Sequence, residues 1–172
     1  PSSPVSTPPS ATGASGHLGV PGSIGSLLLN SSLTEKFVGS TFKKQEANSF
    51  LIADSDVVSG FYTANPTATK FSASDPRLMF VVAYLAGTGN ANSALHEFMT
   101  NHTFTGQQQI NAGSKGGVAA CGLLPQQHAS PVAHCMWADG NTYADFYAWN
   151  SSTSALAKTM IGIRPQVELS HS

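Results

Sequence analysis

Cys121 and Cys135 are the only cysteines of the chain, and each sits inside a short apolar run, "VAACGLL" at 118–124 and "PVAHCMWA" at 131–138. Both runs have the length of a strand, and the "PQQHAS" between them supplies turn residues. The spacing therefore predicts a hairpin with the two cysteines opposite or nearly so. A cross-strand disulfide would close the segment 122–134 and restrict the unfolded ensemble by about 3 kcal/mol in the chain-entropy model. Its expected Cα separation is about 5.5 Å. Trp137, two residues beyond Cys135, shares its face and can cover the sulfurs on the core side. A reduced, buried pair is the alternative. The choice matters because disulfides persist in oxidising compartments.

Other chemistries fit this stretch less well. A redox pair wants Cys-x-x-Cys spacing and a c-type haem Cys-x-x-Cys-His, and neither is present. A metal site would have to draw on His128, His134, Cys135 and Asp139. His134 and Cys135 are adjacent, however, and on a strand they point to opposite faces. Asp139, Asn141 and Asp145 have calcium-loop character without the glycine and terminal glutamate that such a loop needs. No Gly-x-Ser-x-Gly is present, and Asp54 and Asp56 stand beside a predicted helix end without a partner. The expectation is therefore no metal, no cofactor and no enzymatic activity, with an unrecognised hydrolase as the third reading.

Charged residues make up 10% of the 172-residue chain, and the net charge is -1. That is well below the roughly one quarter usual in soluble domains. A polyanion would meet no attractive field, and the largest basic cluster is Lys43-Lys44, so nucleic-acid binding is not expected. No apolar run approaches the roughly 20 residues of a membrane span. Sequons occur at Asn30, Asn101 and Asn150, in a chain so rich in Asn and Ser that they carry little weight.

Residues 1–22, "PSSPVSTPPSATGASGHLGVPG", hold no side chain larger than Leu apart from His17 and read as a Pro/Ser/Thr-rich linker or tail. Such a linker implies something upstream, most simply a membrane anchor absent from this chain. Residues 23–170 read as a single α+β domain. "SIGSLLL" predicts a strand, and "SSLTEKFVGSTFKKQEANSFL" a helix opened by a Ser32–Glu35 capping box, with Leu33, Phe37, Val38 and Phe42 on its apolar side. "VVSGFYTA" and "RLMFVVAYLAG" predict strands, the second apolar enough to be central. "ALHEFMTNH" predicts a short helix with Leu95, Phe98 and Met99 inward. The glycines at 113, 116 and 117 predict a turn, Asp139-Gly140-Asn141 a hairpin, and "SSTSALAKTMIGI" a closing helix that ends at Pro165. The fold class expected is an antiparallel sheet with helices packed on one face and one cross-strand disulfide.

The last strand, "NTYADFYAW", carries Tyr143, Asp145, Tyr147 and Trp149 on one face. With Trp137, the aromatic residues Tyr143, Tyr147 and Trp149 are the candidate ligand- or partner-binding set. Ordinary packing of aromatics on a strand is the competing account.

Cys121-Gly122, Cys135-Met136-Trp137-Ala138-Asp139 and the Arg164 to Glu168 stretch resemble the C-terminal part of uncharacterised secreted or membrane-anchored proteins of actinobacteria. "VPGSIGSLLL" at 20–29 resembles their opening. The resemblance implies an extracellular domain held by an N-terminal transmembrane helix through a Pro/Ser-rich linker. It supplies no activity and no catalytic residues. The aromatic-rich "YADFYAW" departs from the plainer strand of those proteins.

Together these readings predict a secreted or surface-tethered, non-enzymatic domain for protein interaction or assembly, a filament or surface-structure subunit being one form of it. Its partners would be other extracellular proteins or copies of itself. The alternative is a small-ligand or cell-wall glycan binding module.

Overall fold

Three consecutive apolar strands, buried on both faces over much of their length, build the centre of the molecule. The computed structural model describes residues 17–38, 52–85, 91–127 and 129–169. Strands β7 (Val118–Gln126), β8 (Ala129–Ala138) and β9 (Thr142–Trp149) form an antiparallel meander. β5 (Arg77–Leu85) pairs with β9 and β4 (Ile52–Thr63) with β5, and β6 (Thr105–Ile110) adds to β7 at the far edge. With the short β2 (Ser23–Ile24) and β3 (Leu27–Leu29), the order is β2-β3-β4-β5-β9-β8-β7-β6, antiparallel throughout. β5 lies inside this sheet and buries Leu78, Phe80, Val81, Val82 and Ala83, as its continuous apolar run predicts.

The odd positions of β7 and β8 and the even positions of β5 and β9 share one face. Phe80, Val82, Cys121, Cys135, Trp137 and Phe146 there meet Leu156, Met160 and Val167 of the C-terminal helix, α3 (Thr153–Val167). The alternate residues Ala120, Met136 and Ala138 meet Ala94 and Phe98 of α2 (Ala91–Thr100) on the other side. The two long helices therefore cover opposite faces, which corrects the expected one-faced arrangement. Helical amphipathicity says that each helix has an apolar side but not which side of the sheet it will seek. Leu95 and Met99 flank Phe98 as predicted, while the centre of the α2 contact is the small Ala94.

The disulfide is present between Cys121 and Cys135, which are direct cross-strand partners. Their Cα atoms are 4.1 Å apart, closer than expected. Directly opposed residues in the narrow pairs of an antiparallel ladder approach to about 4.5 Å, below the usual disulfide separation.

Other expectations are revised at the chain's ends. Residues 17–22, read as the end of a linker, belong to the fold. β1 (His17–Leu18) pairs with β10 (Glu168–Leu169), Gly19 N donates to Val167 O at 2.8 Å, and the Pro21 carbonyl accepts from the Tyr62 hydroxyl at 2.7 Å. Residues 1–16 lie outside the described residues. The first helix, α1 (Ser31–Leu33), continues as a π-turn over Thr34–Val38, and its cap is Asn30 rather than Ser32. Asn30 is fully buried, accepts from Leu33 N at 3.1 Å and donates to Ala68 O at 2.9 Å, so this sequon is occupied by structure. Leu33 is buried as predicted, and the continuation to Phe42 lies outside the described residues. Asp54 and Asp56 are strand residues of β4, and the helix end expected before them lies outside the described residues. Helix α3 runs through Pro165 to Val167. An interior proline costs a helix about 3 kcal/mol. Here the last turn is held by burial of Arg164 and Val167 on the sheet.

Candidate functional site

Two arrangements of functional side chains stand on this sheet, and the candidate residues divide between them. The first is at the turn end of β8–β9. Asp139 closes the hairpin as an Asx turn, its Oδ1 accepting from Asn141 N and Thr142 N, both at 2.7 Å. Its other oxygen takes Nη2 of Arg164. The Arg164 side chain is almost wholly enclosed. Its Nη1 donates to Ala112 O at 3.2 Å and Gly116 O at 2.7 Å, and its Nε to Glu168 Oε1 at 3.0 Å. The guanidinium lies 5.1 Å from the ring centre of Trp137, whose indole N–H donates to Thr142 Oγ1 at 3.3 Å. Thr142 in turn donates to Glu168 Oε1 at 2.6 Å, and Lys115 reaches the same carboxylate at 3.5 Å. Gly117, with φ +90°, lets the chain pass against Ala138 where any Cβ would strike its carbonyl.

Trp137, Asp139, Arg164 and Glu168, quoted separately for the resemblance, thus meet in one knot that ties α3, the 111–117 loop and the β8–β9 turn together. Trp137 is fully buried. Named among the expected ligand- or partner-binding residues, it packs in the cluster of the two disulfide cysteines, as its spacing from Cys135 predicts.

The second arrangement is the opposite face of β9, where Tyr143, Tyr147 and Trp149 are half-buried and Asp145 is buried. Asp145 Oδ1 lies 2.6 Å from Nε2 of His134, itself only 3% exposed. The imidazole stacks on Tyr147 at 4.2 Å and is flanked by Phe98 at 5.0 Å and Phe104 at 4.6 Å. Its Nδ1 is buried without a hydrogen-bond partner. A histidine held by a carboxylate is half of a nucleophile-activating triad. Among the described residues, however, no hydroxyl or thiol is hydrogen-bonded to the ring, and aromatic side chains enclose it. Because Cys135 is oxidised and faces the other side of the sheet, His134 and Cys135 do not share a ligand position. His128 lies outside the described residues.

At the far end of β9, Trp149 faces Arg77, the first residue of β5, directly across the ladder. The Arg77 guanidinium lies 5.1 Å from the ring centres of both Trp149 and Phe71, and Phe61 approaches those rings at 6.0 and 6.1 Å. Arg77 Nε is buried and unpaired. Arg77 and Trp149 also line a cavity of about 270 Å³, bordered by Ser26, Leu27, Asn150 and Ser151.

Sequence reasoning singled out Trp149 but missed Arg77 and Phe71. The one available signal was a charged residue opening an otherwise apolar strand. It also weighed His134 and Asp145 separately, without the diagonal contact that joins them. No protein family matches this chain, and no characterised protein or solved structure does either.

Proposed function

We propose that the chain is a non-enzymatic extracellular or cell-surface domain that assembles with copies of itself through the edge of its sheet. The observation that carries this reading is strand β6. It ends the eight-stranded sheet, its residues Thr105, Gly106, Gln108 and Gln109 are exposed, and no charged residue occurs from Thr103 to Ser114. Exposed edges are ordinarily blunted by lysine, proline, a bulge or a cover, because their free N–H and C=O groups template pairing; β6 has a bulge between Thr105 and Gln108, and beyond it Gln108–Ile110 pairs regularly with no charge or proline on the edge. An edge of neutral amides is self-complementary about a two-fold axis, since glutamine both donates and accepts and no like charges meet. The low charge of the whole chain leaves little long-range repulsion to oppose such contact. The extracellular part of the reading rests on the disulfide, and among the described residues no helix is long and apolar enough to cross a membrane.

Light scattering coupled to size exclusion on the full chain tests it. The mass should rise above that of a monomer with concentration, and Gln108→Lys with Gln109→Lys should return it to a monomer. A wild-type chain that stays monomeric at every concentration ends this reading and leaves docking to a different extracellular protein in its place. In the small-ligand or glycan alternative, Trp149 borders a cavity, while Tyr147 is stacked on His134 and Tyr143 packs near α2.

A further inference from the structure

The ladder that ends at β6 determines which of its backbone groups face outward. Cys121 and Cys135 oppose each other with Cα atoms 4.1 Å apart, the narrow kind of antiparallel pair whose N–H and C=O groups point away from each other. Those of Cys121 therefore point to the next strand, where its partner is Gln108. Gln108 answers with both of its own groups, and Ile110, opposite Ala119, does the same. Gln109 lies between them and is exposed, so its N–H and C=O point out to the open edge. The next outward positions are irregular. Gln107 lies in the bulge between Thr105 and Gln108, and its side chain turns back to donate to Asn101 O at 2.6 Å. Asn111 is past the end of β6, and its Oδ1 accepts from Gly113 N at 2.8 Å.

Resting on the self-association reading, we infer that two copies join β6 to β6 antiparallel with the two-fold axis at Gln109, each Gln109 donating its N–H to the C=O of the other. Ile110 of one copy then opposes Gln108 of the second, and the two eight-stranded sheets become one. An axis at Gln108 would pair Gln109 with Gln107 in the bulge, and an axis at Ile110 would pair it with Asn111 beyond the strand. Only the axis at Gln109 keeps the regular stretch Gln108–Ile110 paired with itself. The side chains fit this register. Gln108 and Ile110 lie on the α3 face, where Ile110 borders an apolar groove of about 460 Å³ with Ala157 and Ile161. The methylenes of the second copy's Gln108 cover Ile110 at the rim of that groove. On the other face the two Gln109 amides meet across the axis, each able to donate and to accept.

Single cysteines read the register while the native disulfide stays in place. Gln108→Cys, Gln109→Cys, Ile110→Cys and, as a control on the exposed loop after β4, Thr69→Cys are made in the full chain. Oxidation in a glutathione buffer, at a concentration where light scattering shows the wild type associated, is followed by intact mass. Opposed residues of an antiparallel pair have Cα atoms about 4.5–5.5 Å apart, within reach of a disulfide, whereas diagonal neighbours at about 7–8 Å are beyond it. Gln109→Cys alone should reach twice the monomer mass at least about tenfold faster than Thr69→Cys. Gln108→Cys and Ile110→Cys should each stay monomeric alone and give the mixed dimer when combined, which reads the same axis with Gln109 intact. Self-linking of Gln108→Cys or of Ile110→Cys, or no mixed dimer between them, overturns the axis. Light scattering on the wild type separates the two failures. A mass that grows with concentration beside a different cross-link pattern removes the register and keeps self-association, and a monomer at every concentration removes both.

Discussion

Arg164 and Arg77 each lie 5.1 Å from a tryptophan ring, yet they are wired in opposite ways. Arg164 spends its donors on the Asp139 and Glu168 carboxylates and on the Ala112 and Gly116 carbonyls. Arg77 spends none within the described residues. Both are half or more enclosed by aromatic and aliphatic neighbours, so burial alone does not distinguish them. What distinguishes them is whether the fold accounts for their hydrogen bonds. A buried cation whose donors are all answered by its own chain is part of the architecture. One held between aromatic rings with its donors unanswered adds ring contacts but no ion network.

The same substitution at both positions tests this most directly. Arg164→Met keeps an unbranched stem against Trp137 but leaves the Asp139 and Glu168 carboxylates around a shared Thr142 hydroxyl with no arginine between them. Removing one partner of an enclosed ion network costs about 3–5 kcal/mol. Urea denaturation should show a loss of that size, and a loss below about 1 kcal/mol would mean that the knot is surface decoration.

The disulfide beneath Trp137 comes next. Cys121→Ser with Cys135→Ser should lower stability by about 2–4 kcal/mol and leave the fold standing, since α2 and α3 still cover the two faces. Intact mass after alkylation without reductant reads the native state. Two labelled thiols would remove the staple and with it the argument for an oxidising compartment.

Tyr62 joins the residues once read as linker to the sheet. Its ring lies over Gly60, where a Cβ would come within 2.5 Å of it, and its hydroxyl donates to Pro21 O. Tyr62→Phe should cost about 0.5–1.5 kcal/mol at neutral pH. Burial pushes the phenol well above its ordinary value of about 10. The folded state therefore favours the neutral form, and this contribution is complete below pH ~10 and is lost as the pH rises above it. Wild-type stability should fall more steeply than that of Tyr62→Phe above pH ~10 in chemical denaturation. Parallel curves would show that the phenol is not enclosed in solution.

The strands around the cysteines were legible because their pattern is local. Apolar runs of strand length, a turn signal at Asp139-Gly140-Asn141 and one cysteine in each of two neighbouring runs locate β7, β8 and β9 without reference to anything distant. Features that depend on distant partners were not legible. Asn30 outcompetes Ser32 as a cap because its amide also reaches Ala68, far along the chain. Pro165 fails to end α3 because Arg164 is engaged by the 112–116 loop and Asp139. The opposed placement of α2 and α3 depends on which face of the meander each apolar stripe meets. In the candidate site, Trp149 was visible as an aromatic on a strand. Arg77 acquires its meaning only from the β5–β9 register, which sets it across from Trp149.

The smallest effect is expected at Arg77 itself. Arg77→Met removes two ring contacts with the guanidinium, each worth about 0.5–1 kcal/mol at partly exposed positions. It also removes a buried, unpaired Nε–H, a group whose desolvation costs about 1–3 kcal/mol. The thioether can keep contact with Phe71 and Trp149, because methionine packs well against aromatic edges. These contributions oppose one another, so the urea midpoint should stay within about 1 kcal/mol of wild type, in either direction. Measured beside Arg164→Met, the contrast should be several-fold. A loss at Arg77 as large as that at Arg164 would make it a structural residue whose donors are satisfied by ordered water.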